Sequence, residues 1–375
     1  MILILLVIST AAFLSVPSCA LLHRRLRQRR IAAKLEICSA RGLVEEGFMQ
    51  IGGIEQWIGI RGEDVGNPVL LIVHGGPGSS ASIFTPLIRS WESHFTVVQW
   101  DQRGSGKTLG RTGKDGTGEL SMDRLVRDGI EVVECLRTRM RKDKVILLAC
   151  SLGSTFGMSM VRRRPDLFSA YVGTDQNVGM VRDCEMIHKG LVDRLRAHGL
   201  NKGVAAVEKI GSDPSCWSAK DYATTAKWAM KSDPRFFERT MEMLKTSIWF
   251  APGYTLRDIG HFVSGMDFSI DRLISEIRTY DAWKEGVQFA VPFFNFQGAE
   301  DLVTLPELAT AYFDDVEAPL KEMTLIRDAG HFAAFAQTEQ FLHELVTRVR
   351  PLTAEPQFGL VRSSSNSHDE ENSNL

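Results

Sequence analysis

The chain has 375 residues, of which 44% are hydrophobic and 24% are charged, and its formal net charge at pH 7 is −2. These values are ordinary for a globular protein, and the length fits one large α/β domain with an inserted segment. A chain without a basic excess has little charge with which to neutralise phosphates, which argues against nucleic acid as a partner.

The N-terminal segment differs in composition from the rest of the chain. Residues 1–22 carry no charge and are rich in Leu, Ile and Val, and residues 23–30 include five arginines. Because roughly 20 apolar residues can cross a bilayer, residues 1–22 are predicted to be a membrane anchor. The positive-inside rule then keeps the folded domain on the cytoplasmic side. Two alternatives stay open, a cleaved signal segment of a secreted protein and a buried N-terminal helix.

Beyond this segment, apolar runs alternate with helical patterns. Strands are predicted at residues 48–60 (a pair around a turn at Gly52-Gly53), 69–73, 95–100, 145–149, 171–173, 289–296 and 323–326. Helices are predicted at residues 121–139, 154–164 and 332–349. Strands that alternate with helices indicate an α/β fold class, with a mostly parallel sheet covered by helices on both faces.

One long stretch, residues 177–283, interrupts this alternation. It is rich in Met, Lys, Asp and Trp, has helical periodicity and contains no obvious buried strand. It is therefore predicted to be a helical cap, inserted into a core made of residues 40–176 and 284–352. Residues 353–375 are predicted to be a disordered tail, because the polar residues towards the C-terminus cannot bury enough apolar surface to offset their ordering entropy.

The strongest motif is a serine that follows a predicted strand and precedes a predicted helix. Ser151 lies in the pattern Ala149-Cys150-Ser151-Leu152-Gly153, which matches the nucleophile elbow G-x-S-x-G with Ala149 in the first glycine position. The tight turn requires small residues two positions before and after the serine. A helix N-terminus beside the hydroxyl favours developing negative charge. The alternative for this motif alone is a helix-capping serine. Cys150 is interpreted as a packing residue.

A glycine-rich turn precedes the serine by one α/β repeat. His74-Gly75-Gly76-Pro77-Gly78 follows the strand predicted at residues 69–73. Glycines allow backbone N–H groups to point at one spot, as the oxyanion of an acyl-transfer reaction requires. The predicted donors are the N–H groups of Gly76 and Leu152, and the alternative is a Gly/Pro turn without chemistry.

An acid and a histidine follow later strands. Asp301 comes after the strand at residues 289–296, and His331 comes after the strand at residues 323–326. A serine nucleophile needs a general base, and the base needs a carboxylate to fix its tautomer. The chain order Ser151, Asp301, His331 is the order of α/β-hydrolases. The sequence thus predicts these three residues as a catalytic triad, with Glu300 as a weaker candidate for the acid.

Three segments, in this order, resemble the signature segments of the proline iminopeptidase family, also called prolyl aminopeptidases. They are His74-Gly75-Gly76-Pro77-Gly78, Asp101-Gln102-Arg103-Gly104-Ser105-Gly106 and Ser151-Leu152-Gly153-Ser154-Thr155. The resemblance implies the α/β-hydrolase fold, the same triad and a substrate that enters under the cap. In that family, cap glutamates bind the free amine of the substrate. Glu185, Glu238 and Glu242 are the candidates for that role here, and each is equally well explained as a solvated helix charge.

Two functions follow as expectations. The leading one is a hydrolase that releases N-terminal residues from short peptides, as the resemblance implies. The alternative is a carboxylic-ester or lactone hydrolase that acts on a small apolar metabolite. A non-catalytic binding protein of the same fold is a third, weaker possibility. The glycines do not form a G-x-G-x-x-G or P-loop motif, and the cysteines lack metal-ligand spacing, so no cofactor and no metal are expected.

Overall fold

The computed structural model describes the backbone of residues 2–353 and the side chains of residues 18–353. Within these residues, one sheet of eight strands has the order β1-β2-β4-β3-β5-β6-β7-β8. The strands are β1 (Leu43–Ile51), β2 (Ile54–Gly62), β3 (Val69–Val73), β4 (Thr96–Asp101), β5 (Val145–Cys150), β6 (Phe168–Thr174), β7 (Phe293–Gly298) and β8 (Lys321–Ile326). The pairs β1–β2 and β2–β4 are antiparallel and all others are parallel. The predicted fold class is therefore confirmed.

Helices cover both faces of the sheet and fill the long connection between β6 and β7. They are α1 (Ile2–Lys34), α2 (Gly106–Thr112), α3 (Met122–Met140), α4 (Gly153–Arg163), α5 (Cys184–Ala197), α6 (Asn201–Ile210), α7 (Ala219–Lys231), α8 (Pro234–Phe250), α9 (Leu256–Ile277), α10 (Ala282–Glu285), α11 (Pro306–Asp315), α12 (Ala333–Ala336) and α13 (Thr338–Glu344). Helices α5–α9 are called the cap helices below. The boundaries of the predicted cap stay a prediction.

The central strands are buried on both faces, as strands between two helical layers must be. Every residue of β3 and β5 is buried, and both strands consist mainly of aliphatic residues. The hairpin of β1 and β2 turns at Gly52 and Gly53, whose φ angles are +58° and +80°. Such angles suit the two-residue turns that join twisted antiparallel strands. The predicted strand pair at residues 48–60 is thereby confirmed.

Cap helix α9 approaches the glycine-rich turn closely. A Cβ atom on Gly78 would lie 2.1 Å from the carbonyl oxygen of Gly265, which belongs to α9. The hydroxyl of Ser269, one turn further along α9, donates a hydrogen bond to the carbonyl of Gly104 at 3.1 Å. These contacts place α9 against the loops that follow β3 and β4.

Two predicted elements are shortened or divided in the structure. Strand β7 begins at Phe293 rather than at residue 289, because Pro292 has no N–H group with which to extend the ladder. The single helix predicted at residues 332–349 is divided into α12 and α13. Phe332 has a φ of +73° and Gln337 a φ of −126°, so neither residue has helical backbone angles. The side-chain amide of Gln337 instead donates a hydrogen bond to the carbonyl of Asp328.

Some of the polar residues after residue 22, among them Arg24, Arg27 and Gln28, lie on α1 and contact the region of α8 and the loop before α9. Arg24 is 5% exposed, and its guanidinium donates hydrogen bonds of 2.8 Å to the carbonyls of Trp249 and Tyr254. The Gln28 amide donates to the carbonyl of Ala251 at 2.7 Å. Arg24 thus satisfies the Trp249 carbonyl in the last turn of α8, which lacks an intrahelical donor, and the Tyr254 carbonyl in the loop before α9.

The predicted membrane anchor at residues 1–22 receives no support. Among the described residues, no helix combines the length and the apolar composition needed to cross a bilayer. The side chains of residues 1–17, which make up most of the predicted anchor, lie outside the described residues. The predicted tail at residues 353–375 also lies outside them, apart from Thr353.

Candidate active site

Ser151 lies at the tip of a sharp turn between β5 and α4. Its φ angle is +53°, a left-handed conformation that costs energy for a residue with a side chain. The N–H of Ser151 donates to the carbonyl of Thr174 at 3.0 Å, and its carbonyl accepts the N–H of Ser154 at 2.9 Å. These bonds maintain the strained turn, which directs the serine hydroxyl out of the sheet.

The size of the residues around Ser151 follows from the crowding of this turn. A Cβ atom on Gly153 would lie 2.4 Å from the carbonyl oxygen of Val73 and 2.6 Å from that of His74. On the other side of the turn, Ala149 is fully buried. Burial also raises the pKa of the neighbouring Cys150 thiol well above its ordinary value. That thiol is protonated at neutral pH and makes a poor nucleophile.

The structure brings together the three residues that the sequence predicts as a triad. The Nε2 atom of His331 lies 3.0 Å from the Oγ atom of Ser151. The Nδ1 atom of the same ring lies 2.9 Å from the Oδ2 atom of Asp301. Glu300 is directed elsewhere, and its Oε2 atom accepts the N–H of Ala329 at 3.2 Å. Asp301, and not Glu300, is the acid in contact with the imidazole.

Further hydrogen bonds hold the Asp301 carboxylate in place. Its Oδ1 atom accepts the N–H groups of Val303 at 2.8 Å and Thr304 at 3.0 Å. Its Oδ2 atom accepts the Thr304 hydroxyl at 2.6 Å. Asp301 is 0% exposed, so these bonds replace the water that an ionised carboxylate requires.

A second buried carboxylate lies beside the imidazole. Asp175 follows β6, is 1% exposed and accepts the N–H groups of Phe332 at 3.1 Å and Ala333 at 3.2 Å. These donors come directly after His331 in the chain. Three polar side-chain atoms, one each from Asp175, Asp301 and His331, lie within 4.8 Å of one another. Sequence reasoning missed Asp175. Its position at the carboxyl end of the strand next to β5 was the available signal.

The two carboxylates determine the charge state of His331. Burial lowers the pKa of the imidazole, but the negative charges of Asp301 and Asp175 and the hydrogen bond to Asp301 outweigh it and raise the pKa to about 9. Burial raises the pKa of Asp301, but the charge and hydrogen bond of His331 dominate and hold it below its ordinary value. Burial raises the pKa of Asp175 to about 6, against the opposing charge of His331.

The glycine-rich turn packs directly against Ser151. A Cβ atom on Gly75 would lie 2.8 Å from the Cβ atom of Ser151 and 2.9 Å from the nitrogen of Leu152. Gly76 follows with a φ of +122° and lines the same cavity as Ser151. The glycine-rich turn and the elbow are therefore in direct contact at Ser151.

His74 fixes the shape of this turn. Burial lowers the pKa of its imidazole to about 4, so the ring is neutral at neutral pH. The Nε2 atom accepts a hydrogen bond from the backbone N–H of Gln102 at 3.3 Å. The Nδ1 atom lies 2.9 Å from the carbonyl oxygen of Gly75. The Gln102 side chain donates to the carbonyl of His74 at 2.8 Å. Hydrogen bonds from Gln102, in the loop at residues 101–106, therefore hold the glycine-rich turn in place.

A cavity of about 320 Å³ opens beside Ser151 and His331. Most of its walls are apolar, including the side chains of Phe84, Ala226, Met230, Leu244, Ile248, Phe262, Met266, Val303, Phe332 and Phe335. Among the described residues, Asp175 is the acidic residue that lines it. The cavity is suited to an apolar group of a substrate.

The three glutamates proposed to bind a substrate amine do not line this cavity. Glu185 is exposed on α5, and Glu238 and Glu242 are exposed on α8. Glu242 accepts the hydroxyl of Thr246 on its own helix at 3.2 Å. In this structure the three glutamates have the environment of solvated helix charges.

Comparisons with known proteins agree with the α/β-hydrolase fold. A family described as "alpha/beta hydrolase fold" matches residues 68–196. The "Probable aminopeptidase YbaC" of Bacillus subtilis (strain 168) is 27% identical over 312 residues, which cover 80% of this chain and 95% of that protein. A proline iminopeptidase of Clostridioides difficile (strain 630) is 33% identical over 112 residues, which cover 29% of this chain and 36% of that protein.

A solved structure gives the same result for the fold. The crystal structure of a proline iminopeptidase-related protein from Thermus thermophilus superimposes with a TM-score of 0.56 at 19% identity, covering 83% of this chain and 99% of that one. The resemblance that the sequence motifs indicate is confirmed by these relatives. The chain is a hydrolase of the α/β-hydrolase fold, similar to the proline iminopeptidases.

Proposed function

We propose that the protein is a serine hydrolase that cleaves a carboxylic ester or amide through an acyl-enzyme at Ser151. The observation that carries this proposal is the continuous series of short contacts from Ser151 through His331 to Asp301, with distances of 3.0 Å and 2.9 Å. His331 removes the proton of Ser151 as the hydroxyl attacks the carbonyl carbon. Asp301 holds the ring in the required tautomer and stabilises the imidazolium that forms.

The remaining steps use groups that surround the same carbonyl. The N–H groups of Gly76 and Leu152 stabilise the oxyanion of the tetrahedral intermediate, assisted by the N-terminus of α4. His331 then returns its proton to the leaving group, which departs as an alcohol or amine. A water molecule hydrolyses the acyl-Ser151 ester by the same route, with His331 as its base.

For the substrate, we propose an ester, amide or lactone with an apolar group beside the scissile bond. The apolar walls of the cavity at Ser151 support this choice, since burial of an apolar group there removes it from water. The exposed positions of Glu185, Glu238 and Glu242 supply no carboxylate for a free amine in that cavity.

A second candidate is the release of N-terminal residues from peptides. It is favoured by the similarity to a probable aminopeptidase, which extends over 95% of that protein. Asp175 is then the carboxylate that receives the substrate's amine, because it lines the cavity beside Ser151. Both oxygens of Asp175 already accept backbone N–H groups, so this role uses their remaining lone pairs.

The experiment compares three substrates with the full-length protein and its Ser151→Ala variant. The substrates are a p-nitrophenyl ester of a short apolar acid, prolyl naphthylamide and N-acetylprolyl naphthylamide. We expect Ser151-dependent hydrolysis of the ester, with little distinction between the free and the acetylated amine. Cleavage of prolyl naphthylamide alone would replace the ester proposal by the aminopeptidase. Hydrolysis that persists in Ser151→Ala would remove Ser151 as the nucleophile.

A further inference from the structure

Two cavities meet at Ser151, and they differ in charge. Ser151, Tyr222, Ala226 and Val303 line both the apolar cavity described above and a narrower one of about 60 Å³. The narrower cavity is called the arginine cleft here, and it is lined further by Asn177, Arg194, Thr225, Arg278 and Thr304, together with apolar residues of α5 and α7. Among the described residues that line the arginine cleft, Arg194 and Arg278 are the charged ones, and both are positive.

Polar atoms in the arginine cleft are buried without hydrogen-bond partners. The Nε atoms of Arg194 and Arg278 and the Oγ1 atom of Thr225 are all in this state. Arg278 makes one long hydrogen bond, from Nη1 to the carbonyl of Trp217 at 3.3 Å. A buried donor without an acceptor destabilises the folded protein, because folding removes its hydrogen bonds to water and no other hydrogen bond replaces them. Three residues that line one cleft thus carry polar atoms without a partner, and an acceptor from outside the protein would supply one.

The positive charge of the cleft is not neutralised by a nearby ion pair. Within residues 18–353, neither Arg194 nor Arg278 lies within ion-pair distance of an acid. Burial lowers the pKa of Arg194, and the more distant charge of Glu307 raises it in part. A carboxylate that entered the cleft would therefore gain two guanidinium partners without displacing an acid.

Their positions on helices give a simpler explanation for these arginines, but an incomplete one. Arg194 lies in the last turn of α5, and Arg278 is the C-cap of α9. Cations are favourable at helix C-termini, which would account for the residue types. An arginine with only that role can extend its guanidinium into water. The helix dipole does not explain why both Nε atoms are buried at the arginine cleft.

We propose that the arginine cleft binds a carboxylate of the substrate, so that the protein hydrolyses esters or amides with an apolar group on one side of the scissile bond and a carboxylate on the other. This proposal rests on the proposed function, because it places the carboxylate relative to a bond that Ser151 attacks. Arg194 and Arg278 are then specificity-determining residues: each donates charge-assisted hydrogen bonds to the carboxylate, and Thr225 donates its hydroxyl.

The test uses two pairs of esters, and the members of a pair differ only in one terminal group. In each pair a terminal carboxylate is replaced by the isosteric carboxamide, once on the acyl side and once on the alcohol side. We expect the full-length protein to hydrolyse the carboxylate member of one pair with a kcat/KM about 10- to 100-fold above that of the carboxamide. In Arg194→Gln and Arg278→Gln this ratio should fall towards one, mainly through KM, while the carboxamide rate stays constant.

Arg272→Gln is the matched control, since it removes an exposed arginine from the same helix and should leave the ratio unchanged. The carboxamide rate reports on folding and on the triad, so a misfolded variant is recognised by the loss of both activities. A ratio near one in both pairs for the wild-type protein, with Ser151-dependent hydrolysis intact, would overturn the cleft proposal and leave the serine hydrolase standing. Loss of dependence on Ser151 would instead overturn the proposed function itself.

Discussion

The Nδ1 atom of His331 lies 2.9 Å from the Oδ2 atom of Asp301, although Glu300 is the adjacent residue in the chain. The difference between the two acids follows from the turn after β7. Asp301 is fixed by the N–H groups of Val303 and Thr304, whereas Glu300 accepts the N–H of Ala329. One position in the chain therefore decides which carboxylate contacts the imidazole.

This relationship gives the first prediction. Asp301→Asn should lower kcat for a p-nitrophenyl ester by roughly 10³- to 10⁴-fold, because the amide can no longer hold His331 in the required tautomer. Glu300→Gln is the matched control and should leave kcat within about 2-fold, since a glutamine oxygen can still accept the Ala329 N–H. The readout is steady-state kinetics, with circular dichroism to check folding. Equal losses in the two variants would contradict the assignment of Asp301.

The second prediction concerns pH. His331 must be neutral to accept a proton, and its pKa is raised to about 9, so kcat/KM should rise with pH until about pH 9. Asp175→Asn removes one of the negative charges that raise this pKa. The ascending limb of the profile should therefore move to lower pH, by about one unit. Neutral p-nitrophenyl esters measured between pH 5 and pH 10 would show the shift.

The control for this prediction is Asp267→Asn, which removes an exposed acid from α9 and should leave the profile in place. Asp175→Asn also loses one acceptor for the N–H groups of Phe332 and Ala333, so some loss of kcat is expected as well. An ascending limb that stays in place, or moves to higher pH, would show that Asp175 does not act on the charge of His331.

The third prediction concerns the crowding beneath Ser151. Gly153→Ala places a methyl group 2.4 Å from the Val73 carbonyl and 2.6 Å from the His74 carbonyl, so the elbow or the glycine-rich turn must shift. We expect a destabilisation of about 1–3 kcal/mol and a loss of kcat/KM of at least about 10-fold. Urea unfolding and ester kinetics provide the two measurements.

Gly260→Ala is the matched control. Gly260 lies within α9, and a Cβ atom there would have no neighbour within 4 Å. The substitution should stabilise the protein by about 0.5–1 kcal/mol, because alanine restricts the unfolded chain and favours a helix. If Gly153→Ala behaved like Gly260→Ala, the close contact between the elbow and the turn would be refuted.

Much of the fold could be predicted from the sequence because the central strands are buried on both faces. The apolar runs at residues 69–73 and 145–149 correspond to β3 and β5 almost without change. The triad candidates were recognisable for a related reason. Each follows a strand, and parallel strands bring their carboxyl ends to one edge of the sheet.

The remaining features depend on contacts between distant parts of the chain. Asp175 belongs to no motif, and its importance arises from hydrogen bonds to Phe332 and Ala333, which lie far along the sequence. The charges of the cap could not be assigned from periodicity, because a helix pattern does not specify which helix end faces Ser151. The resemblance to the proline iminopeptidases points to Glu185, Glu238 and Glu242 in the cap and gives no indication of Arg194 or Arg278.

The contact between α1 and the cap helices has a practical consequence for any shortened version of the protein. A chain that started at Ala32 would lack Arg24 and Gln28, and the carbonyls of Trp249, Ala251 and Tyr254 would lose the donors described above. The ring of Phe250 would also lose its contacts with His23 and Arg27. Because Leu244 and Ile248 of α8 line the cavity beside Ser151, such a deletion would also disturb the wall of that cavity. A shortened protein intended for enzymology should therefore begin before His23, so that this part of α1 remains on the folded domain.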